Sequence, residues 1–150
     1  MKRTTTTTAI LATALTVALA TPADAAPSVK SRALSTAKAQ NGDAYQYGAE
    51  GPSRFDCSGL TFYSYGKAGR KIPRTAQQQY NATRHVSAPK VGDLVFIGYG
   101  AKSIYHVGIY AGGGKMWNAN TGSYRGRRVV LAPVSEYTAG SPRAYFGQVK

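Results

Sequence analysis

Up to Pro89 the apolar residues of this chain recur mostly at helical intervals, and beyond it they alternate or run together as strands do. That change of period restricts the fold more than any single residue. Val29, Ala33 and Ala37 form one four-residue row with Leu34 beside it, which predicts a helix over Val29–Gln40 that stops at Asn41-Gly42. Ala44–Phe55, with Gly48, Gly51 and Pro52, reads as a loop. Asp56 can cap a second helix that starts at Cys57, carries Leu60, Phe62 and Tyr63 inward and stops at Gly66–Gly69. A short third helix is expected around Thr75–Tyr80. Strands are then expected at Leu94–Ile97, Tyr105–Ala111, Lys115–Ala119, Arg128–Leu131 and Ala144–Val149. Helices first and strands afterwards imply an α+β domain, with helices packed on a mostly antiparallel sheet rather than alternating βαβ units. No internal repeat or interdomain linker interrupts it.

The first 25 residues read as an address. Lys2 and Arg3 precede a Thr run, Ala9–Ala20 is apolar, and Ala23-Asp24-Ala25 supplies a small-x-small exit. This is the order of a secretory signal peptide, and the apolar stretch is too short for the roughly 20 residues a membrane span needs. Cleavage is expected after Ala25, leaving a domain over 26–150. That step removes two basic residues and one acidic one, so the formal charge of +13 survives almost intact.

One cysteine forbids an internal disulfide, and with two histidines and six acidic residues a structural zinc site is improbable; no metal and no cofactor is expected. An exported protein with an unpaired thiol either pairs between chains or keeps the thiol for a purpose. Cys57, in the first turn of a helix capped by Asp56, has exposed backbone N–H groups and the positive end of the helix dipole to favour its thiolate. That makes Cys57 the candidate nucleophile. Of the two histidines, His85 follows Arg84 in a polar stretch and reads as a surface residue. His106 lies in Tyr105-His106-Val107-Gly108-Ile109-Tyr110, on a strand rigid enough to aim an imidazole, and is the candidate base.

A base needs a third group to orient it. If Gly112–Gly114 is a three-residue turn, Gly108 lies opposite Asn118 and His106 opposite Asn120. His106 and Asn118 are then diagonal neighbours on one face, with backbones roughly 7–8 Å apart. A two-residue turn would put Asn118 on the other face, and Asn120 is then the alternative orienting group. Gly108 would leave space for the ring.

The blocks Phe55-Asp56-Cys57-Ser58-Gly59-Leu60, Gly92-Asp93-Leu94-Val95-Phe96 and His106-Val107-Gly108-Ile109-Tyr110 resemble, in their order, the NlpC/P60 family of papain-like cell-wall peptidases. The resemblance spans about Ala33–Ala119. It implies a papain-like α+β fold and hydrolysis of peptidoglycan stem peptides, commonly between D-γ-glutamate and the following diamino acid. It makes Cys57 the nucleophile, His106 the base and Asn118 the third, orienting position, where His is commoner in the family. It also implies that Tyr45 helps position substrate or polarise the carbonyl, and that Asp56 and Ser58 contact the substrate's N-terminal end. Arg74 matches a recurring arginine, structural or close to the acidic substrate. Gly48-Ala49 replaces the family's frequent Gly-Gly.

The basic excess suits attraction to acidic wall polymers, and with the leader it implies a secreted, wall-associated monomer. Arg125, Arg127 and Arg128 cluster beside Tyr124, but no nucleic-acid-binding motif accompanies them. Two other functions fit the same residues: an amidase or acyl transferase on the same fold, and a non-catalytic, basic wall-binding protein.

Overall fold

In the computed structural model, which describes residues 25–122 and 124–150, three helices lie before Pro89 and the long strands lie after it. Apart from Ala25, the expected leader falls outside the described residues. The elements run α1 (Val29–Ala39), β1 (Ala44–Tyr45), β2 (Arg54–Phe55), α2 (Cys57–Lys67), α3 (Ala76–Ala82), β3 (Arg84–Val86), β4 (Leu94–Gly98), β5 (Ile104–Gly112), β6 (Lys115–Ala119) and β7 (Val129–Pro133). A 3₁₀ turn (Val134–Tyr137) and β8 (Arg143–Gln148) close the chain. Six strands form one sheet in the order β3-β8-β4-β5-β6-β7, every pairing antiparallel. Among the described residues no helix is long and apolar enough to cross a membrane.

Local chemistry sets each helix end. Ser28 caps α1 by accepting from the Ser31 N–H, and Asp56 caps α2 by accepting from the Gly59 N–H at 2.6 Å. Thr75 and Gln78 form a reciprocal capping box at the start of α3. Position 59 must be glycine for a different reason: a Cβ there would lie 2.0 Å from the Ala49 carbonyl oxygen. The loop before Cys57 is thereby pressed against the head of α2.

The helices cover one face of the sheet, α1 and α2 packing against each other and against β5 and β6, with α3 against β5. Phe55, Leu60, Tyr65, Phe96, Val107, Ile109 and Trp117 fill that layer. The opposite face carries a smaller cluster of Val95, Ile97 and Met116, covered in part by Tyr137 and Phe146. Because β4 is buried on both faces, it reads as an unbroken apolar run rather than as an alternation.

Two expectations are corrected here. The segment Ala44–Phe55 is not wholly a loop, since β1 and β2 pair in parallel through Ala44–Arg54 and Tyr45–Phe55. The β5–β6 turn has two residues, Gly113 and Gly114, both at positive φ as a type I′ turn requires. Asn118 nevertheless stays on the expected face, because Ala111 bulges out of β5 and restores the pairing Ile109–Trp117. One extra residue in the strand compensates for one fewer in the turn.

Candidate active site

Asp56 is the hub of the site. Its Oδ1 accepts from the Gly59 N–H and its Oδ2 from the Gly48 N–H at 2.9 Å, while Arg74 grips both oxygens, Nη1 at 3.0 Å and Nη2 at 2.8 Å. Arg74 Nη1 also donates to Ser58 Oγ at 2.9 Å, and its Nε to Glu50 at 2.8 Å. Carboxylate and guanidinium are therefore both engaged by the protein, and this bidentate pair locks the loop, the head of α2 and the approach to α3 together. The resemblance assigns Asp56 and Ser58 to substrate contact; in the structure their polar groups face this internal network. Buried Gln79 supports the same turn from below, donating to the Ser58 and Pro73 carbonyls and accepting from Thr61.

Cys57 stands at the first position of α2, with its Sγ 4.0 Å from the Tyr105 carbonyl oxygen. Tyr105 is a bulged residue: Ile97 pairs with His106, whereas the next residue, Gly98, pairs with Ile104. The bulge turns the Tyr105 backbone toward the thiol and leaves His106 on the Ile97 face.

His106 is buried, and its Nε2 lies 3.0 Å from Asn118 Oδ1. Asn118 cannot turn its amide around freely, because its Nδ2 donates to the Val130 carbonyl at 3.3 Å. An oxygen can only accept, so Nε2 carries the proton and Nδ1 keeps the lone pair. The imidazole is thus held in the tautomer whose Nδ1 can act as a base. Asn120, the alternative orienting group, instead anchors the neighbouring loop by donating to the Gly126 carbonyl at 2.9 Å. A Cβ at Gly108 would come within 2.8 Å of Met116 Sδ and of the Trp117 carbonyl oxygen and 3.1 Å of the Asn118 Cβ, so this glycine lets β6 approach closely where it carries Asn118.

Burial opposes the charged form of both groups. It raises the pKa of the Cys57 thiol above its ordinary value, with the Asp56 carboxylate adding to the rise and the backbone N–H groups at the helix start opposing it. Burial also lowers His106 to about 4, against a smaller upward pull from Asn118. Burial and the Asp56 carboxylate thus oppose the thiolate that the start of α2 favours. Unfolded His106 takes a proton below pH 6.5 and folded His106 does so only near pH 4, so its contribution is complete above pH 6.5 and is lost as pH falls between those values. The loss amounts to about 3 kcal/mol at the acid end. Urea unfolding from pH 7 to 4.5 should show wild type losing stability relative to His106→Gln; parallel curves would rule out a buried neutral imidazole.

Tyr45, Asp56, Cys57, Ser58 and His106 all line one open cleft of about 750 Å³. Asn118 stands behind His106, buried. Burial raises the Tyr45 pKa, with smaller contributions from Cys57 and Asp56, so its phenol stays protonated and able to donate. Arg127 lies over its ring at 5.2 Å from the centroid. His85 is exposed, as expected, but sits on β3 and stacks on Tyr80 at 4.1 Å. Tyr137, which no sequence pattern singles out, lies parallel to the His106 ring at 4.8 Å. Among the described residues no group of three His, Cys, Asp or Glu side chains could hold a metal ion.

A thiol at the head of a helix, sharing a cleft with a strand-borne imidazole that an amide orients, is the papain-like arrangement. The chain belongs to the NlpC/P60 family, whose model matches residues 42–140. It is 50% identical over 84 residues to a bifunctional muramidase/DL-endopeptidase of Bacillus subtilis, covering 53% of this chain and 26% of that protein. The chain spans about a quarter of the length of such curated relatives. Its fold matches the peptidoglycan hydrolase RipB of Mycobacterium tuberculosis with a TM-score of 0.66 at 29% identity, covering 81% of this chain and 64% of that one. It matches RipD of the same organism, a non-catalytic NlpC/p60 domain protein described as adapted to peptidoglycan binding, with a TM-score of 0.66 at 26% identity, covering 81% and 98%.

Proposed function

We propose that this domain is an exported cysteine endopeptidase that cuts peptidoglycan stem peptides between D-γ-glutamate and the diamino acid. The same fold serves a hydrolase and a non-catalytic relative, so the fold does not decide between them. The observation that carries the reading is that Cys57 and His106 line one cleft, with His106 Nε2 tied to Asn118 at 3.0 Å and Nδ1 left as a base.

In the proposed reaction His106 Nδ1 takes the thiol proton as Sγ attacks the scissile carbonyl carbon. The developing oxyanion is held by the Cys57 backbone N–H, with the Tyr45 hydroxyl as second donor. The imidazolium then protonates the departing amine of the diamino acid, leaving an acyl-enzyme. A water deprotonated by His106 attacks the thioester, and release of the γ-carboxyl product returns the proton to sulfur. Asp56, Ser58 and Arg74 fix the wall of the cleft against which the N-terminal side of the substrate lies. The basic surface holds the protein at an acidic wall.

Mass spectrometry of muropeptides after digestion of purified peptidoglycan tests the bond. New termini between D-glutamate and the diamino acid are expected. Release of whole stem peptides would instead make the domain an amidase, and binding without any new terminus would place its function with the non-catalytic relative.

A further inference from the structure

We propose that Tyr137 is a positioning residue for His106, acting with its ring on the imidazole and with its hydroxyl on Asn118. The inference rests on the peptidase reading above. Tyr137 ends the 3₁₀ turn after β7 and lines the cleft. Its ring lies 4.8 Å from the imidazole, 13° from parallel, and covers one face of it. Its hydroxyl is 2.8 Å from Asn118 Oδ1 and 3.1 Å from Asn120 Oδ1. With His106 Nε2–H on the same oxygen, both acceptor positions of the Asn118 amide are filled, and its Nδ2 is held by Val130. The amide then has one orientation, and so has the ring it orients.

The ring supplies something the amide lacks. Asn118 bears no charge to offset the imidazolium that forms when His106 accepts the thiol proton. An electron-rich ring face at this distance attracts a cation, and here that cation exists only once the proton has moved. The other titratable groups lining the cleft are Cys57 on α2, Tyr105 on β5, Tyr45 on β1, Tyr47 in the loop that follows it and Glu136 on the 3₁₀ turn, with Asp56 neutralised by Arg74. None of them stacks on the imidazole as Tyr137 does.

Two variants separate ring from hydroxyl. Tyr137→Phe keeps the stack and is expected to lower kcat about 3- to 10-fold with KM unchanged, the effect of one lost hydrogen bond. Tyr137→Leu removes both and is expected to lower kcat about 100-fold. In the leucine variant the His106 titration followed by NMR should move downward from about 4, because the imidazolium loses the ring face that attracts it, whereas an upward move would show that Tyr137 acts only by excluding water and would overturn the proposal. In the phenylalanine variant, which keeps the ring, it should stay near the wild-type value. A role limited to packing would lower the melting temperature and leave that titration and the KM-to-kcat split unmoved. A folded leucine variant with wild-type kcat and an unmoved His106 midpoint overturns the proposal. If the leucine variant does not fold, a phenylalanine variant with wild-type kcat overturns it. The titration needs no substrate, so an inactive wild type would sink the peptidase reading while this test still reads out.

Discussion

Replacing Cys57 by alanine should lower turnover of purified peptidoglycan by about three orders of magnitude or more while the melting temperature changes by no more than a few degrees. The first half follows from the absence of a substitute: Cys57 is the chain's only thiol, and Ser58 Oγ is engaged by Arg74. His106 would keep its place but would have no proton to take. Removing a nucleophile costs about as much as removing the whole catalytic unit, since the remaining members act only through it. The second half follows from what the thiol touches. The change deletes one sulfur from a part-buried position, whereas the head of α2 is held by the Asp56 cap and by Gln79. Turnover of muropeptides and a thermal melt, made on the same preparation, check both halves.

Asp56→Ala should have the opposite profile and cost about 3–5 kcal/mol of stability, because it strands the guanidinium of Arg74 and frees the N–H groups of Gly48 and Gly59. Asp56→Asn keeps an acceptor at the cap and should cost less. The pairing itself is measured by a double-mutant cycle with Arg74→Leu. Residues that share one network are non-additive, so the double variant should be less destabilised than the sum of the two single ones by more than about 1 kcal/mol. Urea unfolding that gives additive costs would show that Asp56 and Arg74 contribute independently. In that event the site would not be organised around their contact.

The two predictions separate chemistry from architecture, and the sequence exposes these layers unequally. Cys57, His106 and the cap at Asp56 are legible because each depends on neighbours within one turn or one strand. The strands β4 to β6 are legible for the same reason, their boundaries falling within a residue or so of the expected ones. The partnership of His106 with Asn118 is legible only through a turn, and there three consecutive glycines hide the register. All three tolerate positive φ, so nothing in Gly112–Gly114 shows that two form the turn while Ala111 bulges.

Other features escape because their cause is distant. Arg84-His85-Val86 shows no apolar alternation, and it becomes a strand by pairing with β8 at the far edge of the sheet. Arg74 meets Asp56 across 18 residues and Glu50 across 24, so its role as a structural clamp comes from tertiary closure. Tyr137 follows a polar segment and belongs to a 3₁₀ turn too short to leave a periodic signature. A helix start favours a thiolate at Cys57, but the sequence does not show how far the sulfur is covered, and burial opposes that effect.

Attack of the Cys57 sulfur itself on the substrate carbonyl leaves a covalent acyl-enzyme. Intact-protein mass spectrometry during turnover of an activated γ-ester of a D-glutamyl stem-peptide fragment detects it, because an ester acylates quickly and leaves deacylation to limit the rate. A single acyl adduct is expected that maps to Cys57 on proteolysis, decays to free enzyme and is absent from Cys57→Ala. Turnover without an adduct, an adduct on another residue, or undiminished turnover by the alanine variant would contradict it.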